Sequence, residues 1–213
     1  MDNMQIKYFE EFKIPDWPRV SRVIDFITKH IKSGRVLDIG YSEGSFADYL
    51  NKKGWDCIGI DVNIRKSKSV KLVCGDLNRN IPFKSSSFDL ITAGEVMEHL
   101  FDDVYFLKEC NRILKSDSYL ILTIPNIAYS LNRLLVLFGK LPKFSWAPYH
   151  YHFYNLKYIT QLLRENGFKV IKISSSHILY SRRRHFSGRI FEILAEYLPA
   201  FGAHLIIYAT KDK

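Results

Sequence analysis

One alternation limits what this chain can fold into. Arg35-Val36-Leu37-Asp38-Ile39 reads as a buried strand, and β-rich runs recur at 55–60, 70–73, 88–93 and 118–124. Between several of them lie segments of helical spacing, notably 45–53 and 102–114. Strands separated by helices imply right-handed βαβ units, hence an α/β domain on a largely parallel sheet. Ahead of the first strand, Val20, Val23, Ile24, Ile27 and Ile31 mark a helix at 17–31 that Ser33-Gly34 closes. After Pro125 the rhythm changes. Residues 126–154 read as a long insert, with a helix at 127–138 and a Pro/aromatic loop at 141–148; an insert of this length usually serves as a lid or binding element. A helix at 155–166 ends at Asn166-Gly167, a strand follows at 168–176, a helix at 186–198 and a last strand at 203–210. The expected organisation is an N-terminal segment, 1–16, and one domain, 17–213.

Composition excludes several classes. With 47% hydrophobic and 25% charged residues among 213, the chain can bury a core and is not a disordered tail. Its strongest apolar runs, 134–138 and 205–208, fall far short of the roughly 20 residues that span a bilayer. The first residues are acidic and aromatic where a secretion signal is basic and then apolar, so a cytoplasmic location is expected. Cys57, Cys74 and Cys110 are too scattered for a disulfide framework or thiolate zinc site and read as small core hydrophobes. The formal charge of +9 is compatible with nucleic acid, anionic lipid or a phosphorylated substrate. It is densest at Arg65-Lys66-Ser67-Lys68 with Lys71 and at Arg182-Arg183-Arg184.

Ligands of open α/β sheets bind beyond the carboxyl ends of the strands. After the first strand comes Asp38-Ile39-Gly40-Tyr41-Ser42-Glu43-Gly44-Ser45-Phe46, whose glycines permit a tight turn and close backbone approach before a helix. It is neither a P-loop nor the full dinucleotide pattern. Asp61 ends the second strand, where an acid accepts from ribose hydroxyls, and Asp76 follows the third, within reach of an adenine amino group. Each acid alone reads as a cap or turn residue; three at successive strand ends point to a nucleoside.

These motifs, with Phe88-Asp89-Leu90-Ile91, Gly94-Glu95-Val96-Met97-Glu98-His99-Leu100, Arg112-Ile113-Leu114-Lys115, Thr123-Ile124-Pro125-Asn126 and Leu162-Leu163-Arg164-Glu165-Asn166-Gly167-Phe168, resemble the class I S-adenosylmethionine-dependent methyltransferases over about 20–210. The resemblance implies a single Rossmann-like domain: a seven-stranded, mostly parallel sheet with its last strand antiparallel, helices on both faces and a helical lid after strand 5. It also implies S-adenosylmethionine as cofactor, held by Asp38, Gly40, Tyr41, Ser42, Gly44, Asp61, Val62, Asp76, Leu77 and Glu95. Asp38 and Gly40 would hold the ammonium end, Asp61 the ribose and Asp76-Leu77 the adenine. The family's Asp-x-Gly-Cys-Gly-x-Gly stands here as Asp38-Ile39-Gly40-Tyr41-Ser42-Glu43-Gly44, a departure at Tyr41 and Ser42.

Glu95, Glu98 and His99 are spaced i, i+3, i+4, so a helix starting there would put them on one face. His150 and His152 emerge from the insert at the neighbouring edge. Glu95, Glu98, His99 and His150 make a plausible set for Mg²⁺, Mn²⁺ or Zn²⁺, which would bind an acceptor oxygen. The ubiquinone-biosynthesis O-methyltransferases and the small-RNA 3′-terminal 2′-O-methyltransferases are similar here. Without a metal, His99 is the expected catalytic base and Glu95 its positioning partner. Tyr129, Trp146, His150, His152 and Tyr154 are the expected acceptor-binding residues, within an aromatic run of Tyr149, Tyr151, Phe153, Tyr154 and Tyr158. The insert helix is apolar on most of its circumference, with Asn132 and Arg133 as its polar members, and reads either as core or, flanked by Lys140, Lys143 and Trp146, as a lid touching an anionic membrane. The expected activity is methyl transfer to an oxygen of a small hydrophobic or isoprenoid-linked acceptor. The alternatives are metal-assisted RNA ribose 2′-O-methylation and a non-catalytic S-adenosylmethionine-binding protein; RNA is the weaker, for want of an appended binding domain.

Overall fold

The structure is a computed structural model that describes residues 17–41, 45–63, 67, 69–145, 147–178 and 193–212. Its seven strands form one sheet in the order β3-β2-β1-β4-β5-β7-β6. They are β1 Arg35–Ile39, β2 Asp56–Asp61, β3 Lys71–Cys74, β4 Phe88–Gly94, β5 Leu114–Pro125, β6 Phe168–Ser175 and β7 His204–Lys211. Strands β1 to β5 pair in parallel, and β7 runs antiparallel between β5 and β6. The longer helices among the described residues are α1 Trp17–His30, α2 Ser45–Lys52, α3 Asp103–Ile113, α4 Ser130–Leu137 and α5 Leu156–Glu165. This is the Rossmann-like sheet that the resemblance implies.

Two buried clusters, one on each face, sandwich the sheet. Val23, Ile24, Phe26, Ile27 and Ile31 carry α1 onto Val36, Leu90, Ile206 and Tyr208. Phe106, Leu107, Cys110 and Ile113 of α3 join Ile159, Leu162 and Leu163 of α5 on the other face, against Leu37, Ile91, Leu122 and Ile207. Local signals set the ends. Asp102 caps α3 by accepting from Tyr105 N at 2.8 Å, and Asn155 caps α5 by accepting from Tyr158 N at 2.9 Å. Gly167 takes the left-handed conformation, φ 78°, that the end of α5 requires.

Four expectations need correction. Strand β5 begins at Leu114, four residues before the run at 118–124, because Ser86 and Ser87 donate to the Arg112 and Ile113 carbonyls and bring the chain into the sheet early. The insert helix spans 130–137, not 127–138, because Asn126 is buried and anchors the start of the insert: its Nδ2 donates to the Ala200 and Gly202 carbonyls, and its Oδ1 accepts from Ala128 N. Of the two readings of that helix, core is the one that does not hold. Asn132 is its buried residue, while Leu134, Val136 and Leu137 are exposed. Cys57 and Cys110 are buried but Cys74 is exposed, where its thiol donates to the Val62 carbonyl. Residues 193–197 are helical, and the earlier part of the helix expected at 186–198 lies outside the described residues. So do Arg182, Arg183 and Arg184 and, in the other basic cluster, Arg65, Lys66 and Lys68.

Candidate active site

The parallel strands bring their carboxyl ends to one rim, and antiparallel β7 adds its first residue there, His204 opposite Pro125. Gly40 leaves β1 with φ 74°, and its N–H donates to the Ile60 carbonyl at 2.9 Å. A Cβ at this position would overlap the Val96 Cγ2 methyl, so only glycine fits. The Tyr41 side chain turns down over Gly59, is buried, and its hydroxyl is 3.3 Å from Asp48 Oδ2. Ser42 and Gly44 lie outside the described residues.

Asp38 is buried at the end of β1 and accepts from Thr92 Oγ1 of β4 at 2.8 Å. Burial is the main cause that raises its pKa to about 7, although the Thr92 bond opposes the shift. Asp61 accepts from Asn63 N at 2.8 Å, and Val62 beside it is exposed. Asp76 accepts from Asn78 N at 3.0 Å and pairs with Arg79 at 3.3 Å; the neighbouring Leu77 packs against the core.

Beyond β4 the expected helical face is absent. Only a 3-10 turn, Met97–His99, forms, and Glu95 precedes it with a left-handed φ of 56°. The physical reason is the Glu95 N–H, which donates to the Thr123 carbonyl at 2.8 Å and keeps the chain extended along β5 for one more residue. Glu95 therefore parts from Glu98. Its Oε1 is 3.2 Å from Thr123 Oγ1 and 3.5 Å from Arg19 Nη1, and its Oε2 is 3.5 Å from His204 Nε2.

Glu98, His99 and His150 converge, each offering a ligand atom within 4.8 Å of the others. Glu98 is buried, and its Oε2 has no hydrogen-bond partner among the described residues. Burial first, and the charge of Glu95 second, raise its pKa well above the ordinary carboxyl range. His99 Nδ1 lies 3.0 Å from the Tyr149 carbonyl, which can only accept, so the proton sits on Nδ1. Its Nε2 is 4.0 Å from Glu98 Oε1. The His150 ring packs edge-on at 4.7 Å from that of His99; burial and then His99 lower its pKa, and the charge of Glu95 and a hydrogen bond to the Phe144 backbone oppose them.

The remaining expected acceptor residues are placed differently. His152 turns to Asp103 Oδ2, 3.6 Å from its Nδ1, and the buried Tyr154 also donates to Asp103 Oδ2, at 3.0 Å. Tyr129 is buried edge-on to His177, and Trp146 lies outside the described residues. Five residues at the rim are not among the expected site residues: Arg19, Thr92, Thr123, His177 and His204. Thr92 and Thr123 were legible as polar interruptions of apolar strands, FDLITAG and LILTIP; the others carry no local signal.

A family model described as a methyltransferase domain matches residues 12–173. An uncharacterized protein of Methanocaldococcus jannaschii, MJ1123, is 27% identical over 184 residues, covering 82% of this chain and 85% of its own length. A ubiquinone biosynthesis O-methyltransferase of Bradyrhizobium diazoefficiens is 28% identical over 135 residues, covering 59% of this chain and 53% of its own. Among solved structures, a SAM-dependent methyltransferase of Thermotoga maritima, described as a possible histamine N-methyltransferase, superposes with a TM-score of 0.69 at 22% identity, covering 99% of this chain and 96% of the other. The fold, the glycine turn and the match over more than half of its length lead to one assignment: the chain belongs to the methyltransferase-domain family and is a SAM-dependent methyltransferase.

Proposed function

We propose that the protein transfers the methyl group to an oxygen of a small hydrophobic acceptor, with Glu98, His99 and His150 holding a divalent cation beside that oxygen. One observation carries the reading: a buried carboxyl with an unpartnered oxygen meets two imidazoles, and the His99 ring donates its other nitrogen's proton to a backbone carbonyl. Such outer hydrogen bonds orient the ligands of metal sites. Two imidazoles and one carboxylate suit Zn²⁺ or Mn²⁺ better than Mg²⁺, which favours oxygen. When bound, the cation would lower the pKa of the acceptor hydroxyl. Similarity to the ubiquinone O-methyltransferase supports an oxygen acceptor.

The chain's own residues do the rest. Asp38 and the Gly40 turn receive the ammonium end of S-adenosylmethionine, Asp61 its ribose, Asp76 and Leu77 its adenine. Glu95 faces the same crevice from the end of β4. Methyl transfer is an in-line displacement at a sulfonium, so holding the two reactants in line supplies most of the acceleration. Exposed Leu134, Leu137, Phe138 and Leu141, with Lys140 and Lys143 nearby, support delivery of the acceptor from an anionic membrane surface.

Isothermal titration of chelator-treated protein with ZnCl₂ and MnCl₂ tests the metal. One site per chain is expected, lost in Glu98→Gln and His150→Ala while S-adenosylhomocysteine still binds. Absence of that site in the wild type would leave His99 as a metal-free base.

A further inference from the structure

A second polar network leaves Glu95 in the opposite direction, across β5 and β7 to the end of β6. Ser176 is fully buried. Its Oγ is 3.1 Å from His204 Nδ1 and 3.1 Å from His177 Nδ1, and it accepts from the His204 backbone N–H at 3.3 Å. His204 Nε2 in turn is 3.5 Å from Glu95 Oε2. On the far side of the carboxylate, Arg19 Nη1 donates to Thr123 Oγ1, which leaves the Thr123 proton free to point at Glu95 Oε1.

A serine hydroxyl has one proton. It can serve one of the two Nδ1 atoms, and the other ring must donate its own. When Ser176 donates to His204, the His204 proton lies on Nε2 and meets the Glu95 carboxylate as a donor. The reverse assignment would set a lone pair against a negative charge. Glu95 also needs external support, because a left-handed backbone at a residue other than glycine persists only where its surroundings impose it.

We infer that His204, its tautomer set by Ser176, is a positioning residue that holds Glu95 across the cofactor crevice. The inference rests on the reading that Glu95 meets the cofactor. Two measurements on the full chain test it: the tautomer of His204 by ¹⁵N NMR of labelled imidazole, and the affinity for S-adenosylhomocysteine by titration calorimetry. The Nε2–H tautomer is expected, with a mixture of tautomers in Ser176→Ala. His204→Ala is expected to weaken binding about tenfold, the factor that goes with loss of one charge-assisted contact. His204→Gln, whose amide nitrogen stands where Nε2 was, restores it; His204→Asn, whose nitrogen replaces Nδ1, does not. Rescue by Asn alone, or an Nδ1–H tautomer in the wild type, overturns the inference and makes His204 a structural partner of Ser176. Weakening by Glu95→Gln with none by His204→Ala overturns it while sparing the reading of Glu95. Unchanged affinity in Glu95→Gln overturns both. If His204→Ala does not fold, the Gln and Asn pair still decides.

Discussion

A carboxyl group taken out of water keeps its proton unless a cation meets it, and in the proposed site this property would make Asp38 a handle on the ammonium end of the cofactor. Burial puts its pKa at about 7. An ammonium placed beside it favours the carboxylate, so binding S-adenosylhomocysteine below neutrality releases a proton. Affinity should therefore rise between about pH 5.5 and 7, by at most about tenfold per pH unit, and level off above. Calorimetry in buffers of different ionisation heat measures both the slope and the proton; a flat profile with no proton released would remove Asp38 from the ammonium site. Asp38→Asn should bind weakly at every pH. Gly40→Ala should destabilise the fold by about 1–3 kcal/mol, from a strained left-handed backbone and the overlap with Val96; an unchanged thermal midpoint would contradict this. At the same scale, the sequence disclosed the acids but not their grouping. Nothing in Gly94-Glu95-Val96 advertises a positive φ at a glutamate, so a helical phase wrongly joined Glu95 to Glu98.

Among the elements, α4 departs furthest from what its residues suggest. A helix with four leucines in eight residues ordinarily turns them inward. Here the Asn132 amide takes the inner face, donating to the Ile127 and Lys143 carbonyls at 3.1 and 3.3 Å and accepting from Lys143 N at 2.8 Å. It closes the insert on itself. Asn132→Leu, which raises hydrophobicity at a buried position, should therefore destabilise by about 1–3 kcal/mol, because it strands buried backbone groups. Denaturant unfolding checks this, and a more stable variant would refute the role of the amide. Leu137→Glu with Phe138→Glu, both on the exposed side, should change stability by less than about 0.5 kcal/mol yet abolish co-sedimentation with phosphatidylserine vesicles. Equal sedimentation of variant and wild type would take the lid away from the membrane. Strands and helices of strong period were read within a few residues. The insert was not, since its conformation depends on Asn126 and Tyr154, whose partners Gly202 and Asp103 are distant in sequence, and on the Asn132 amide, which no periodicity singles out.

For the whole molecule, the buried acids give stability an unusual dependence on pH. Asp38 and Glu98 titrate higher in the folded chain than their ordinary values of 3.8 and 4.5, so the native state binds more protons than the unfolded one. The stabilisation is complete below the unfolded values and is lost as pH rises through the folded ones. His150, lowered in the fold, acts in the opposite sense, but only below about pH 6.5 where the unfolded imidazole charges. Between about pH 6.5 and 8 the metal-free protein should lose stability, and Glu98→Gln should flatten that slope. Thermal unfolding across the interval measures it, and a rising midpoint would contradict the assignment. The architecture was legible because strand alternation and the acids at the strand ends are local signals that survive burial. The rim was legible only in part, because Arg19, Ser176 and His204 reach it from the two ends of the chain and only the sheet order and the packing of α1 on the sheet bring them together. The most direct test of the central claim is an anomalous difference map from crystals grown with S-adenosylhomocysteine and MnCl₂. A single manganese peak in contact with Glu98, His99 Nε2 and His150 is predicted; no peak there at full cofactor occupancy would contradict it.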